Sequence, residues 1–235
     1  MKQNIRQMLL VVALPSLTLI GFYTLVSLRQ GMSATSAVLK TRSSAVVECL
    51  NEISAAGFWL WPTDDSSLPS HRTSADYFNW LITDAPPLRG DEGKMCMRHL
   101  KEEVVSQLYG RPLFSEKNMP WIIVKNLPEN APDNFIVMVT ANVNPASLRT
   151  RLTEEDMSRQ IGIAKNHHEH VLREHIYLIR KNGEAVELQK GLSPQAKFTY
   201  REIYGNMSFN LTTNLVNGLP VKYLTPTGEV IPTNE

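Results

Sequence analysis

The chain has 235 residues, with 24 lysines and arginines against 23 aspartates and glutamates, for a formal net charge of +1. So balanced a chain carries no basic excess of the kind that phosphate backbones select, which argues against nucleic acid as a partner. The 14 prolines fall mostly between periodic segments. Beyond the N-terminal run, about 200 residues suffice for one sizeable core, and the pattern reads as one compact domain with long surface loops.

Residues 8 to 28, Met8 through Leu28, carry no charge and follow a short basic tip. A hydrocarbon core of ~30 Å needs about 20 helical residues, and no later segment stays apolar for half that length. Lys2 and Arg6 precede the run, so the positive-inside rule puts the tip in the cytoplasm. The expected organisation is a cytoplasmic tip at 1–7, a transmembrane helix at 8–28 and an extracytoplasmic domain at 29–235. The location is then an inner membrane anchor with a periplasmic or cell-surface domain. A cleaved signal peptide is the alternative, because Ser33 to Ala37 supplies small residues. The run's length and Arg29 favour retention.

Ala34, Val38, Ala45, Val46, Cys49, Leu50, Ile53 and Ala56 recur at helical spacing, with Lys40, Ser44, Glu48 and Asn51 on the other side. If the apolar run and this stripe are one helix, it extends about 50 residues or ~75 Å. Gly57 ends it. Phe58-Trp59-Leu60-Trp61-Pro62 then reads as a core-anchoring link, with Trp59, Trp61 and Trp80 as core residues. Thr73-Ser74-Ala75-Asp76 reads as a capping box before a short helix carrying Tyr77, Phe78, Trp80 and Leu81. A second amphipathic stretch, residues 94 to 108, aligns Met97, Leu100, Val104 and Leu108 until Gly110 and Pro112 stop it.

The pattern then changes to strands at Trp121–Val124 and Phe135–Val143. Thr153-Glu154-Glu155-Asp156 opens a charged helix with slight burial. Asn182-Gly183 between His175–Arg180 and Glu184–Leu188 predicts a hairpin with a two-residue type I′ turn. Phe209–Leu211, Val221–Leu224 and Glu229–Ile231 are further short strands, the last pair joined by a turn at Pro226-Thr227-Gly228.

Functional chemistry is sparse. His167, His168, His170 and His175, with Glu169, form a dense cluster of potential ligands, and His167 and His170 would share a helical face at i, i+3. Leu172 stands where an HExxH metalloprotease needs its second histidine, so the cluster reads as a solvated polar face and no metal is expected. The acidic pairs Asp64-Asp65, Asp91-Glu92 and Glu102-Glu103 likewise read as solvated surface. No Walker loop, nucleophile elbow, Gly-x-Gly-x-x-Gly or CxxC appears, so no catalytic residue, enzyme activity or cofactor is expected. Cys49 and Cys96 leave two readings open: a disulfide in an exported chain, or two thiols acting as small hydrophobes.

Met8-Leu9-Leu10-Val11-Val12-Ala13 resembles the Leu-Leu-Val-Val stretch of the prepilin N-terminal helix; in an alternative alignment Leu17-Thr18-Leu19-Ile20 resembles its Phe-Thr-Leu-Ile start. Ala55-Ala56-Gly57 with Trp61-Pro62 and then Thr73 to Phe78 is similar to a branch of pilin-like proteins found in mucin-dwelling gut bacteria. Residues 175 to 189 suit that branch as well. The family's Glu at the fifth mature position has no counterpart, since Gly21 or Met8 stands there. The resemblance to type IV pilin-like proteins and pseudopilins implies an α+β fold, with a long N-terminal helix packed on a C-terminal antiparallel sheet with helical inserts. It also implies a structural subunit of a type IV pilus or type II secretion-type assembly, with other pilin-like subunits or secretion components as partners. The alternative is a membrane-tethered extracytoplasmic binding module, an adhesin or sensor, that does not polymerise.

Overall fold

Two runs of β-branched and apolar residues, β1 (Trp121–Lys125) and β2 (Ile136–Thr140), form the centre of a six-stranded antiparallel sheet. The computed structural model describes residues 37–65, 68–108, 110–161, 175–189 and 198–232, and the chain divides into two compact units, 1–38 and 39–235. Apart from the first two residues of the first helix, every element belongs to the second unit. The remaining strands in chain order are β3 (Arg151–Leu152), β4 (Gln160–Ile161), β5 (His175–Arg180), β6 (Ala185–Gln189), β7 (Phe198–Thr199), β8 (Phe209–Asn210), β9 (Lys222–Thr225) and β10 (Gly228–Val230). The large sheet has the order β10-β9-β1-β2-β5-β6, and the small pairs β3-β8 and β4-β7 stand apart. Every residue of β1 and β2 is buried. Such continuous burial, without alternation, means that both faces of the sheet centre are covered.

Among the described residues four helices accompany the sheet: α1 (37–55), α2 (Ser74–Thr83), α3 (Asp91–Val105) and α4 (Tyr200–Tyr204). Helix α1 stops at Gly57, whose φ of 87° is open to glycine without strain, while the Phe58 amide donates back to the Ile53 carbonyl at 3.1 Å. Helix α2 starts at the expected box: the Thr73 hydroxyl accepts from the Asp76 amide and the Asp76 carboxylate accepts from the Thr73 amide. It packs on β1 and β9. Helix α3 buries Met97, Leu100 and Val104, with Leu108 following in a 3₁₀ turn. Trp61 and Trp80 are buried, and Trp59 packs partly buried against the core.

The expected architecture, a long N-terminal helix on a C-terminal antiparallel sheet, is not what the chain forms. It is α+β, but no long helix is seen among the described residues, where α1 covers about five turns. No described helix is long and apolar enough to cross a membrane, and the apolar run at 8–28 lies outside the described residues. The antiparallel sheet does occupy the C-terminal half, from Trp121 to Val230. Periodicity gives a helix a face but not a length; packing sets the length, because isolated helical turns are marginal without a partner. Along the described part of α1 the packed positions are Leu39, Ser43, Val46, Val47, Cys49, Leu50 and Ile53. Val38 and Ala56, expected in the stripe, are exposed.

Three smaller corrections have local causes. Residues expected to open a charged helix make a 3₁₀ turn, Glu154–Ser158, capped by Thr153 and Asp156, and β4 follows at once. Asp156 is buried there, 3.6 Å from Arg149 and 3.3 Å from Arg159, while Glu154 and Glu155 stay exposed. The β5-β6 hairpin forms, but with a three-residue turn over 181–183: Gly183 has φ 85° while Asn182 stays outside the left-handed region. The Asn182 side chain instead accepts from the Glu184 amide at 3.0 Å.

That turn also corrects the solvent face assigned to α1. The Ser44 hydroxyl donates to the Gly183 carbonyl, the Asn51 amide donates to the Lys181 carbonyl, and Lys40 pairs with Glu187 at 3.7 Å. Lys181 in turn donates through Nζ to the Glu129 and Ala131 carbonyls, both at 2.6 Å. The hairpin tip is thus a joint between α1 and the loop preceding β2.

Candidate functional site

The residues singled out by sequence as metal candidates, His167 and His170, lie outside the described residues together with His168 and Glu169; His175 opens β5. Among the described residues no group of three or more His, Cys, Asp or Glu side chains is arranged to hold a metal ion.

The densest polar site lies at the end of β1. Strand geometry carries Lys125 inward, with its side chain fully buried, and its ammonium donates to the His71 carbonyl at 2.9 Å and to the carboxylates of Asp64 and Glu229. An ammonium has three donors, and here each finds an acceptor. Lys222 on β9 closes the cluster from the solvent side, 3.0 Å from Asp64 and 3.1 Å from Glu229. Two cations and two carboxylates alternate, so the formal charges cancel. The next residue, Asn126, has φ 59° and is buried. Its side chain accepts from the Asp64 amide at 2.8 Å and donates to the Pro220 carbonyl at 2.8 Å, which offsets the left-handed backbone.

Burial opposes the charged forms throughout, yet reciprocal hydrogen bonding prevails. The Asp64 pKa is desolvated upward but brought down to about 2 by hydrogen bonds from Lys125, Lys222 and Asn126. Glu229 is lowered by the same two lysines, and Lys222 is raised by its two carboxylates, each against its own desolvation. His71 behaves differently. Burial first, and then the Lys125 charge, lower its pKa, while Asp76 pulls weakly the other way. Its ring stands against Tyr77 and Trp80, with centroids 5.5 and 5.0 Å away, and its buried Nε2 has no hydrogen-bond partner.

With every proton of Lys125 engaged, this arrangement ties the link carrying Asp64 and His71 to the sheet. It offers neither a free base nor an open ligand position. Sequence reading missed it. Asp64 read as half of a solvated pair, and the expected strand stopped at Val124, one residue short of Lys125; nothing in the local pattern reveals that a lysine after four apolar residues points inward.

The open surface lies around α3 instead. Grooves of about 960, 470 and 410 Å3 border it. The largest runs between the end of α1 and the start of α3, past Glu52, Phe58, Asp91, Met95 and Cys96. Met95 is 67% exposed and Val105 49%, unusual for apolar side chains on an otherwise amphipathic helix. Helices α1 and α3 run antiparallel, since Arg42 meets Glu103 at 3.7 Å while Glu52 accepts from the Cys96 thiol at 3.8 Å. Cys49 is buried and Cys96 half-buried, and both are free thiols.

No family model, curated protein or solved structure matches this chain.

Proposed function

We propose that the chain is a non-enzymatic structural subunit of a type IV pilus or type II secretion-type assembly. It is held in the inner membrane by residues 8–28, and its extracytoplasmic domain meets neighbouring subunits. The observation that carries this reading is the integration of α1: among the described residues core packing begins at Leu39, with ten residues between it and the end of the apolar run at Leu28. A segment of that length reaches at most about 35 Å even when fully extended, too short to serve as a long stalk. An adhesin reaching outward would need a longer stalk. The exposed Met95 and Val105 supply apolar contact points on the same domain.

Photocrosslinkable residues placed at Met95 and Val105 in the full chain, in its native membrane, test the reading. Crosslinked species containing a second copy or another membrane-anchored subunit are expected. A chain that stays monomeric at both positions while crosslinking to a soluble ligand would replace this reading with the tethered binding module, which the groove of about 960 Å3 favours. Carbonate extraction with N-terminal sequencing checks the anchor independently. A soluble form starting near Val38 would remove it.

A further inference from the structure

The two cysteines, 47 positions apart in sequence, lie one on α1 and one on the antiparallel α3. Cys49 sits three residues before Glu52 on α1, so the two side chains share a face with Cβ atoms about 5–6 Å apart. Glu52 reaches across to accept from the Cys96 thiol at 3.8 Å. With Arg42 joined to Glu103 further along, the antiparallel pairing sets Cys96 beside the turn of α1 that carries Cys49. The two thiols differ in access. Cys49 is 3% exposed, whereas Cys96 lines both the groove of about 960 Å3 and that of about 410 Å3.

We propose that Cys49 and Cys96 are a dithiol that an external disulfide-bearing oxidant closes into an intramolecular staple between α1 and α3, with Cys96 as the entry thiol. This does not depend on the assembly reading. The Cys96 thiolate, its proton released to water past the Glu52 carboxylate, attacks one sulfur of the oxidant R–S–S–R. That S–S bond breaks, one RS⁻ leaves and takes up a proton, and Cys96 holds a mixed disulfide. The Cys49 thiolate then attacks Cys96 Sγ, forming the protein disulfide and expelling the second RS⁻, which is protonated in turn. Two protein thiols are oxidised and one external disulfide is reduced to two thiols.

The electrostatics favour the closed state. Burial raises the Cys49 thiol to about 12, with Glu52 and then Cys96 adding to it, and desolvation and Glu52 raise Cys96. A thiolate so disfavoured gives the reduced form none of the stabilisation that makes a dithiol hard to oxidise, and it makes each sulfur a poor leaving group once the bond exists. The same shifts make closure slow without a catalyst of exchange.

The test uses the full chain in detergent with oxidised glutathione as the oxidant and a protein disulfide isomerase as the catalyst of exchange. Thiols are counted by maleimide-polymer gel shift after denaturation, and the linkage is read by mass spectrometry of the tryptic peptides. Expected are the loss of both thiols in one chain, a Cys49–Cys96 linked peptide, recovery of both thiols with dithiothreitol, and a higher melting temperature when oxidised. Cys49→Ser should stop at a glutathione adduct on Cys96, and Cys96→Ser should leave Cys49 unmodified. Persistence of both thiols, a glutathione adduct on Cys96 beside a free Cys49 in the parent chain, or a dimer linked between chains would each overturn the proposal.

Discussion

Replacing Lys125 with Met tests whether the cluster at the end of β1 is a clamp. The two side chains have similar length, so no cavity opens and the change is chiefly one of charge. The variant loses the donors to Asp64, Glu229 and the His71 carbonyl. Removing one partner of a buried ion pair costs about 3–5 kcal/mol. Here the carboxylates keep 20% and 26% side-chain exposure, and Lys222 still pairs with both, so part of that cost is shared with water and Lys222. The expected loss is therefore about 2–4 kcal/mol, against a typical total of about 5–15. For a domain of this size each kcal/mol moves the melting temperature by about 2–4 °C, so a fall of about 4–16 °C is expected. Thermal melts of the full chain in detergent, followed by circular dichroism, read it. The partner variant Asp64→Asn combined with Lys125→Met should cost less than the sum of the two, because the second change removes a carboxylate the first left short of a cation. A Lys125→Met melt within 1 °C of the parent, or strict additivity in the double variant, would refute the clamp.

Gly183→Ala should destabilise by about 1–3 kcal/mol, since φ is 85° and the added Cβ would lie 2.5 Å from Glu48 Cγ; Glu48→Ala should relieve part of that loss in the same melts. Leu50→Asp, placing a carboxylate at a fully buried site, should unfold the domain at ambient temperature by circular dichroism. Asn51→Asp should cost about 1–3 kcal/mol because it removes the donor to the Lys181 carbonyl, and equal melts for Asn51→Asp and the parent would contradict the joint between α1 and the hairpin tip. Melts across pH should show two losses. The His71 pKa is lowered on folding, so the unfolded chain takes up that proton first and stability declines as pH falls below about 6.5, a step that His71→Phe should abolish. The Asp64 carboxylate is depressed to about 2, so its contribution is complete above about 4 and is lost as pH falls from there through 2, a step that Asp64→Asn should flatten.

Much of the local structure was legible in the sequence because it depends on neighbours in the chain. The Thr73-Asp76 box, the Gly57 stop, the stripe of Met97, Leu100 and Val104 and the Asn-Gly hairpin each rest on chemistry within a few residues. Tertiary structure decided what depends on distant partners. Which positions of α1 are buried follows from the elements packed on it: Ser43 is buried and Val38 exposed, against their periodic pattern. Lys125 is inward because Asp64 and Glu229, far apart in sequence, supply the charge that makes its burial tolerable. Ser44 and Asn51 look like surface residues until the hairpin tip arrives against them, and whether two cysteines can meet depends on the antiparallel course of α1 and α3. Sequence periodicity reports which side of an element is apolar. Only the folded chain determines which polar groups find one another, because the desolvation of a charge is offset only by partners that long-range topology brings within hydrogen-bond reach.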